Sequence, residues 1–192
     1  MKRTITILSL LFCLSLSYSQ TYNQLVVDDK GKEKLLGKIN REGLTSNSFK
    51  NWFDKNYDNY TPNEELINTL GNSLNNYTIK LFLGTWCGGS KREVPRFYKV
   101  LDVASFPENQ LEVIAVDRTP EAYKKSPTGE EKGLNIQKVP TFIFYKNGKE
   151  INRIVESPQA TLEQDIKAII DGKYTPKYAK TNLTEKTIKE RD

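Results

Sequence analysis

The stretch Thr78–Phe106, TIKLFLGTWCGGSKREVPRFYKVLDVASF, decides how the rest of the chain is read. Its first six residues, TIKLFL, form a short apolar run suited to a buried strand. Phe97, Val100, Leu101 and Ala104 then recur at helical spacing. A second apolar run, LEVIAV from Leu111 to Val116, follows after a short connection. Strand, helix, strand in this order predicts a parallel βαβ unit. The segment GTWCGGSK sits at the junction of the first strand and the helix, so Cys87 stands where unpaired backbone N–H groups and the positive end of the helix dipole favour an anion, here a thiolate. Lys91 and Arg92 add positive charge in the same direction. Gly88 and Gly89 leave room for a substrate backbone to approach.

Outward from this unit, Thr141–Tyr145, TFIFY, reads as a further strand. Asn147-Gly148 supplies the two positive-φ positions of a tight hairpin turn into EINRIVE. Residues 118–133 are polar and read as a surface insertion. A last amphipathic helix, Thr161–Ile170, places Leu162, Ile166, Ile169 and Ile170 on one face and stops at Gly172. Before the unit, LVV and KLLGKI flank a polar turn as a small hairpin or an edge. Thr45 or Ser46 caps a helix carrying Phe49, Trp52, Phe53 and Tyr57, and Pro62 suits the first turn of another with Leu66, Ile67 and Leu70.

The amino terminus has a different character. Lys2 and Arg3 precede the apolar run Ile5–Leu16, and small residues stand at Ser17 and Ser19 before Gln20. Basic, apolar and small residues in that order predict a secretory signal peptide over 1–19, and an exported protein, periplasmic or secreted, once it is cleaved near Ser19. The apolar run is shorter than the ~20 residues of a membrane-spanning helix, so no stable membrane insertion is expected. Phe12 stands where lipoprotein signals carry a small residue, which argues against lipidation of Cys13. Cleavage would remove Lys2, Arg3 and Cys13, lowering the formal net charge from +5 to +3 and leaving one cysteine, Cys87. A lone thiol in an oxidising compartment is unusual, since exported proteins generally pair their cysteines.

The organisation expected is therefore a signal over 1–19, an amino-terminal extension over 20–76 packed on the core, a domain over 77–171 and a basic flexible tail over 172–192. The 192 residues suffice for one domain with a real core. With no histidine in the chain, His-based acid–base catalysis and nearly every zinc site are excluded, and no metal or cofactor is expected. The tail carries six basic and three acidic residues, a mixture that does not suggest nucleic-acid binding.

WCGGSK followed by Pro95 resembles the active-site segment of the thioredoxin-like superfamily, WCGPCK with a proline eight residues after the first cysteine. VPTFIFYKNGKE, Val139–Glu150, resembles the same superfamily's segment of cis-proline, buried strand and hairpin turn. The chain is also similar to exported flavobacterial proteins with a comparable front extension. This resemblance implies an α/β thioredoxin-like fold, a central mixed sheet flanked by helices. It implies that Cys87 is the attacking thiol, that Trp86, Gly88, Gly89 and Ser90 border the substrate, and that Pro140 lies against Cys87 with a cis peptide to Val139. The backbone of Val139 would then pair with an extended substrate segment. The partners implied are protein or small-molecule thiols and disulfides.

Two departures reshape that implication. Ser90 stands in the place of the resolving cysteine, so the dithiol cycle cannot run. Leu81 stands in the place of a buried acid that accepts protons during resolution. The expected activity is that of a monothiol thiol-disulfide oxidoreductase, in which an external thiol releases the adduct on Cys87. The alternative is a non-catalytic binding module of the same fold. An iron–sulfur site of monothiol type and a peroxidase site both fit the residues around Cys87 poorly.

Overall fold

The apolar side chains of TIKLFL divide between two faces of a sheet, and that division organises the molecule. The computed structural model describes residues 22–178. The expected signal segment, Cys13 and the tail beyond Tyr178 lie outside the described residues. Eleven helices and strands, apart from short 3₁₀ turns, follow in the order β1 (Gln24–Val27), β2 (Glu33–Ile39), α1 (Arg41–Leu44), α2 (Asn47–Asp58), α3 (Glu64–Leu70), β3 (Thr78–Leu83), α4 (Gly88–Val103), β4 (Leu111–Ala115), β5 (Thr141–Lys146), β6 (Lys149–Val155) and α5 (Leu162–Ile170). One six-stranded sheet runs β1-β2-β4-β3-β5-β6. Among the described residues only β3 and β4 are parallel, with Leu81 opposite Val113; the other neighbours are antiparallel. The expected α/β architecture with a mixed central sheet is the one found.

Alternation along the central strands sends Ile79, Leu81, Leu83, Val113, Ala115, Phe142 and Phe144 to one face. There they meet the apolar stripes of α2, α3, α4 and α5, including Phe49, Phe53, Ile67, Phe97, Leu101 and Ile166. Phe97 and Phe142 lie 4.5 Å apart between ring centroids. Phe82, Ile114 and Ile143 point to the opposite face, and Val116 and Val139 join them in a smaller cluster. Among the described residues no helix covers it: Trp86, Leu134 and Ile136 pack there instead. The region read as a surface insertion thus runs on into two apolar residues that close the second face.

Local chemistry accounts for the element ends. Asn63 caps α3, its side-chain oxygen accepting the Leu66 N–H at 2.9 Å. Pro62 therefore lies just ahead of the cap, not in the first turn where the sequence reading put it. Ser46 occupies the cap position of α2, but its hydroxyl donates back to the Gly43 carbonyl. Thr161 caps α5 and Glu163 accepts hydrogen bonds from the Asn63 N–H and the Tyr60 hydroxyl, tying α3 to α5. Asn147 and Gly148 take φ of 52° and 73° in the β5–β6 turn.

The start of the stretch read as a flexible tail is held in place. The Tyr174 carbonyl accepts from Asn152 Nδ2 at 2.7 Å and the Thr175 carbonyl from Gln159 Nε2 at 2.6 Å. Tyr174 packs against the main core, and burial pushes its hydroxyl up to about 12. Two backbone carbonyls and the Tyr174 ring thus join residues 174–175 to the domain.

Candidate functional site

β3 delivers the chain into a turn that fixes Gly84–Cys87. The Cys87 N–H donates to the Gly84 carbonyl at 2.8 Å. Cys87 then occupies the cap position of α4, in extended backbone. Gly84 admits no side chain: a β-carbon there would lie 2.5 Å from Cε2 of Trp86. The indole is held by its Nε1, which donates to the Val116 carbonyl at 2.9 Å. Gly84→Ala should therefore displace the Trp86 ring at a cost of about 1–3 kcal/mol. In a Trp52→Phe background, an unchanged tryptophan emission spectrum and an unchanged urea midpoint would refute this.

Cys87 is half-buried, and its Sγ lies 3.4 Å from the Val139 carbonyl oxygen, to which the thiol donates. The Val139–Pro140 peptide is cis. A β-carbon on Gly89 would sit 3.6 Å from Pro140 Cδ and 3.8 Å from the Cys87 sulfur, so Gly89 keeps the space between them open. Gly88 is exposed at the first helical position. The structure thus gathers Trp86, Cys87, Gly89, Val139 and Pro140 at one end of the sheet.

Two expected site residues are placed differently. Ser90 is 0% exposed and cannot border a substrate; its Oγ accepts the Gly84 N–H at 3.2 Å, bracing the turn. Arg92 turns to Glu93, a carboxylate 3% exposed that also faces Arg96. Its charge is spent there rather than on the thiol alone. Lys91, half-buried, makes no ion pair among the described residues. Leu81 is fully buried, so the position beneath the loop is apolar.

Sequence reasoning missed the residues that brace this loop from the amino-terminal hairpin. The Leu35 N–H of β2 donates to Thr85 Oγ1 at 3.2 Å. Lys34, its side chain 5% exposed, pairs with Asp117, the second residue after β4. Asp117 also accepts the N–H groups of Arg118 and Thr119. Only spatial pairing of β2 with β4 reveals these contacts. Among the described residues no group of three or more His, Cys, Asp or Glu side chains gathers as a metal ion would require, and no helix is long and apolar enough to cross a membrane. A groove of about 1070 Å³, lined by Arg41, Lys80, Tyr98 and Glu112 among others, lies at the opposite end of β3 and β4 and shares no residue with the Cys87 site.

Comparison with known proteins adds an independent line. Residues 61–168 match the family model described as Thioredoxin. The chain is 31% identical over 84 residues to Thioredoxin Asp f 29 of Aspergillus fumigatus, covering 44% of this chain and 69% of that protein. It is 34% identical over 87 residues to Putative thioredoxin-5 of Dictyostelium discoideum, covering 45% and 74%. It is 32% identical over 85 residues to the Thioredoxin of Malassezia sympodialis, covering 44% and 73%.

Proposed function

Since the chain belongs to the thioredoxin family, we propose that it is an exported monothiol thiol-disulfide oxidoreductase acting through Cys87. The observation that carries the reading is the position of the sulfur. It stands at the start of a long helix, half-buried, 3.4 Å from the Val139 carbonyl and beside a gap that Gly89 keeps open.

The cycle has two exchange steps. The Cys87 thiolate attacks one sulfur of a disulfide, forming a mixed disulfide and expelling the other sulfur as a thiolate. An external thiol then attacks the substrate sulfur of the mixed disulfide, leaving as a new disulfide and returning Cys87 to the thiolate. Ser90 cannot perform the second step, because a hydroxyl is not a useful nucleophile toward sulfur at neutral pH. An extended peptide disulfide would align its backbone with Val139, as a strand added at an edge. The order of basic, apolar and small residues over 1–19 supports export.

Exposure to glutathione disulfide should add one glutathione per chain, removed again by free thiol, and Cys87→Ala should abolish the addition. Intact mass spectrometry reads the adduct and, on protein recovered from its natural host, the loss of residues 1–19. A native protein that gains no mass at pH 8 would leave only the binding-module reading of this fold.

A further inference from the structure

Glu156, directly after β6, joins the carboxy-terminal segment to the substrate side of the site. Its backbone takes φ of 65°, a region that glycine enters freely and a β-carbon disfavours. Three contacts hold it there. Its N–H donates to the Pro140 carbonyl at 2.8 Å. One carboxylate oxygen accepts the Tyr178 hydroxyl at 2.8 Å, and the other pairs with Lys138 Nζ at 3.0 Å. The Lys138 ammonium also lies 5.4 Å from the Tyr178 ring centroid. The carboxyl is held below the usual range by the Tyr178 hydrogen bond first and, against burial, by Lys138.

Two of the three end on a neighbour of Val139. Lys138 precedes it, Pro140 follows it, and the Thr141 hydroxyl donates to the Lys138 carbonyl at 2.6 Å. The segment bearing Tyr178 is itself tied down upstream through the Tyr174 and Thr175 carbonyls. The carboxy-terminal segment is therefore linked through Glu156 to both neighbours of the residue facing the Cys87 sulfur.

We infer that Glu156 is a positioning residue which, with Lys138 and Tyr178, fixes the Val139 backbone as the edge on which an extended peptide disulfide aligns. The inference rests on the reading of Cys87 as a disulfide-reactive thiol. A small disulfide needs only the sulfur and should be indifferent to this alignment. A peptide disulfide needs the edge as well.

The test compares rates of mixed-disulfide formation with a short peptidyl disulfide and with 2-hydroxyethyl disulfide, in the native chain, Glu156→Gly and Tyr178→Phe. Glycine tolerates the left-handed backbone, so Glu156→Gly removes the carboxylate while keeping the turn. The peptidyl rate should fall about fivefold or more in Glu156→Gly and about twofold in Tyr178→Phe, with the hydroxyethyl rate unchanged. Equal changes on both probes, or none on either, would overturn the inference. A native chain inert to both probes would instead defeat the redox reading. Amide exchange at Val139 and Glu156 then decides this one: faster exchange in both variants supports it, and unchanged exchange overturns it.

Discussion

Ser90→Cys should convert a thiol that waits for an external partner into one that releases its own adduct. Ser90 lies one turn along α4 from Cys87, and side chains at i and i+3 on a helix have Cβ atoms about 5–6 Å apart. The corresponding Cα separation falls within the ~4.4–6.8 Å that a disulfide bridges, although some local adjustment is needed to bring the Cβ atoms closer. The introduced sulfur would therefore reach the Cys87 sulfur of a mixed disulfide intramolecularly, and the half-life of a glutathione adduct should shorten by at least about tenfold. Two features of the site limit the gain. Ser90 is fully buried and Leu81 beneath the loop is apolar, so no carboxylate stands at that position to take the new thiol's proton, and burial raises its pKa. Release should accordingly accelerate with rising pH. Losing the hydroxyl also weakens the hydrogen bond to the Gly84 N–H, at about 0.5–1.5 kcal/mol. Mass spectrometry of the isolated adduct distinguishes the outcomes: spontaneous loss of glutathione with formation of an internal disulfide supports the argument. An adduct as durable as that of the native chain would show that the two positions cannot meet.

The strand–helix–strand core was legible because its signals are local and periodic. The short apolar run of β5, helical spacing in α4 and α5, and Asn147-Gly148 each depend on a few adjacent residues. The location of Cys87 at the head of α4 was legible for the same reason. The roles of Ser90 and Arg92 were not, since whether a side chain on the first turn faces inward depends on how the helix is rotated against the sheet. Leu134 and Ile136 were missed as a cover for the second face because two apolar residues in a polar stretch show no period. Glu156 and Tyr178 gave no signal at all: their meeting depends on where the chain returns after α5. The hairpin was legible as a hairpin, but its contact with the site loop required the non-local pairing of β2 with β4.

That pairing places Lys34 against Asp117, and removing the carboxylate should cost more stability than any other single change to the hairpin–loop junction. The side chains are 5% and 12% exposed, so each charge has lost most of its water and relies on the other. Asp117→Ala leaves the Lys34 ammonium buried without its partner and strips the Arg118 and Thr119 N–H groups of their acceptor. A loss of about 3–5 kcal/mol is expected. Lys34→Met should cost less, about 1–3 kcal/mol, because the carboxylate retains both backbone donors. With Asn supplying the acceptor, Lys34→Met combined with Asp117→Asn should be more stable than Asp117→Ala. Burial pushes the Asp117 carboxyl up, but hydrogen bonds from Lys34 and from the Arg118 and Thr119 N–H groups outweigh it and hold the group below its ordinary value. Its contribution is then complete above the unfolded carboxyl pKa of about 3.9 and disappears as the pH falls through the lower folded value. Urea unfolding should thus show a gap between the native chain and Asp117→Ala that is constant from about pH 6 to 7 and narrows below about pH 4. A gap that persists undiminished at pH 2, or equal costs for Asp117→Ala and Lys34→Met, would mean that the ion pair is not what holds the loop. If the gap behaves as expected, Trp86 emission should shift in the same variant, since the Val116 carbonyl that holds the indole immediately precedes Asp117.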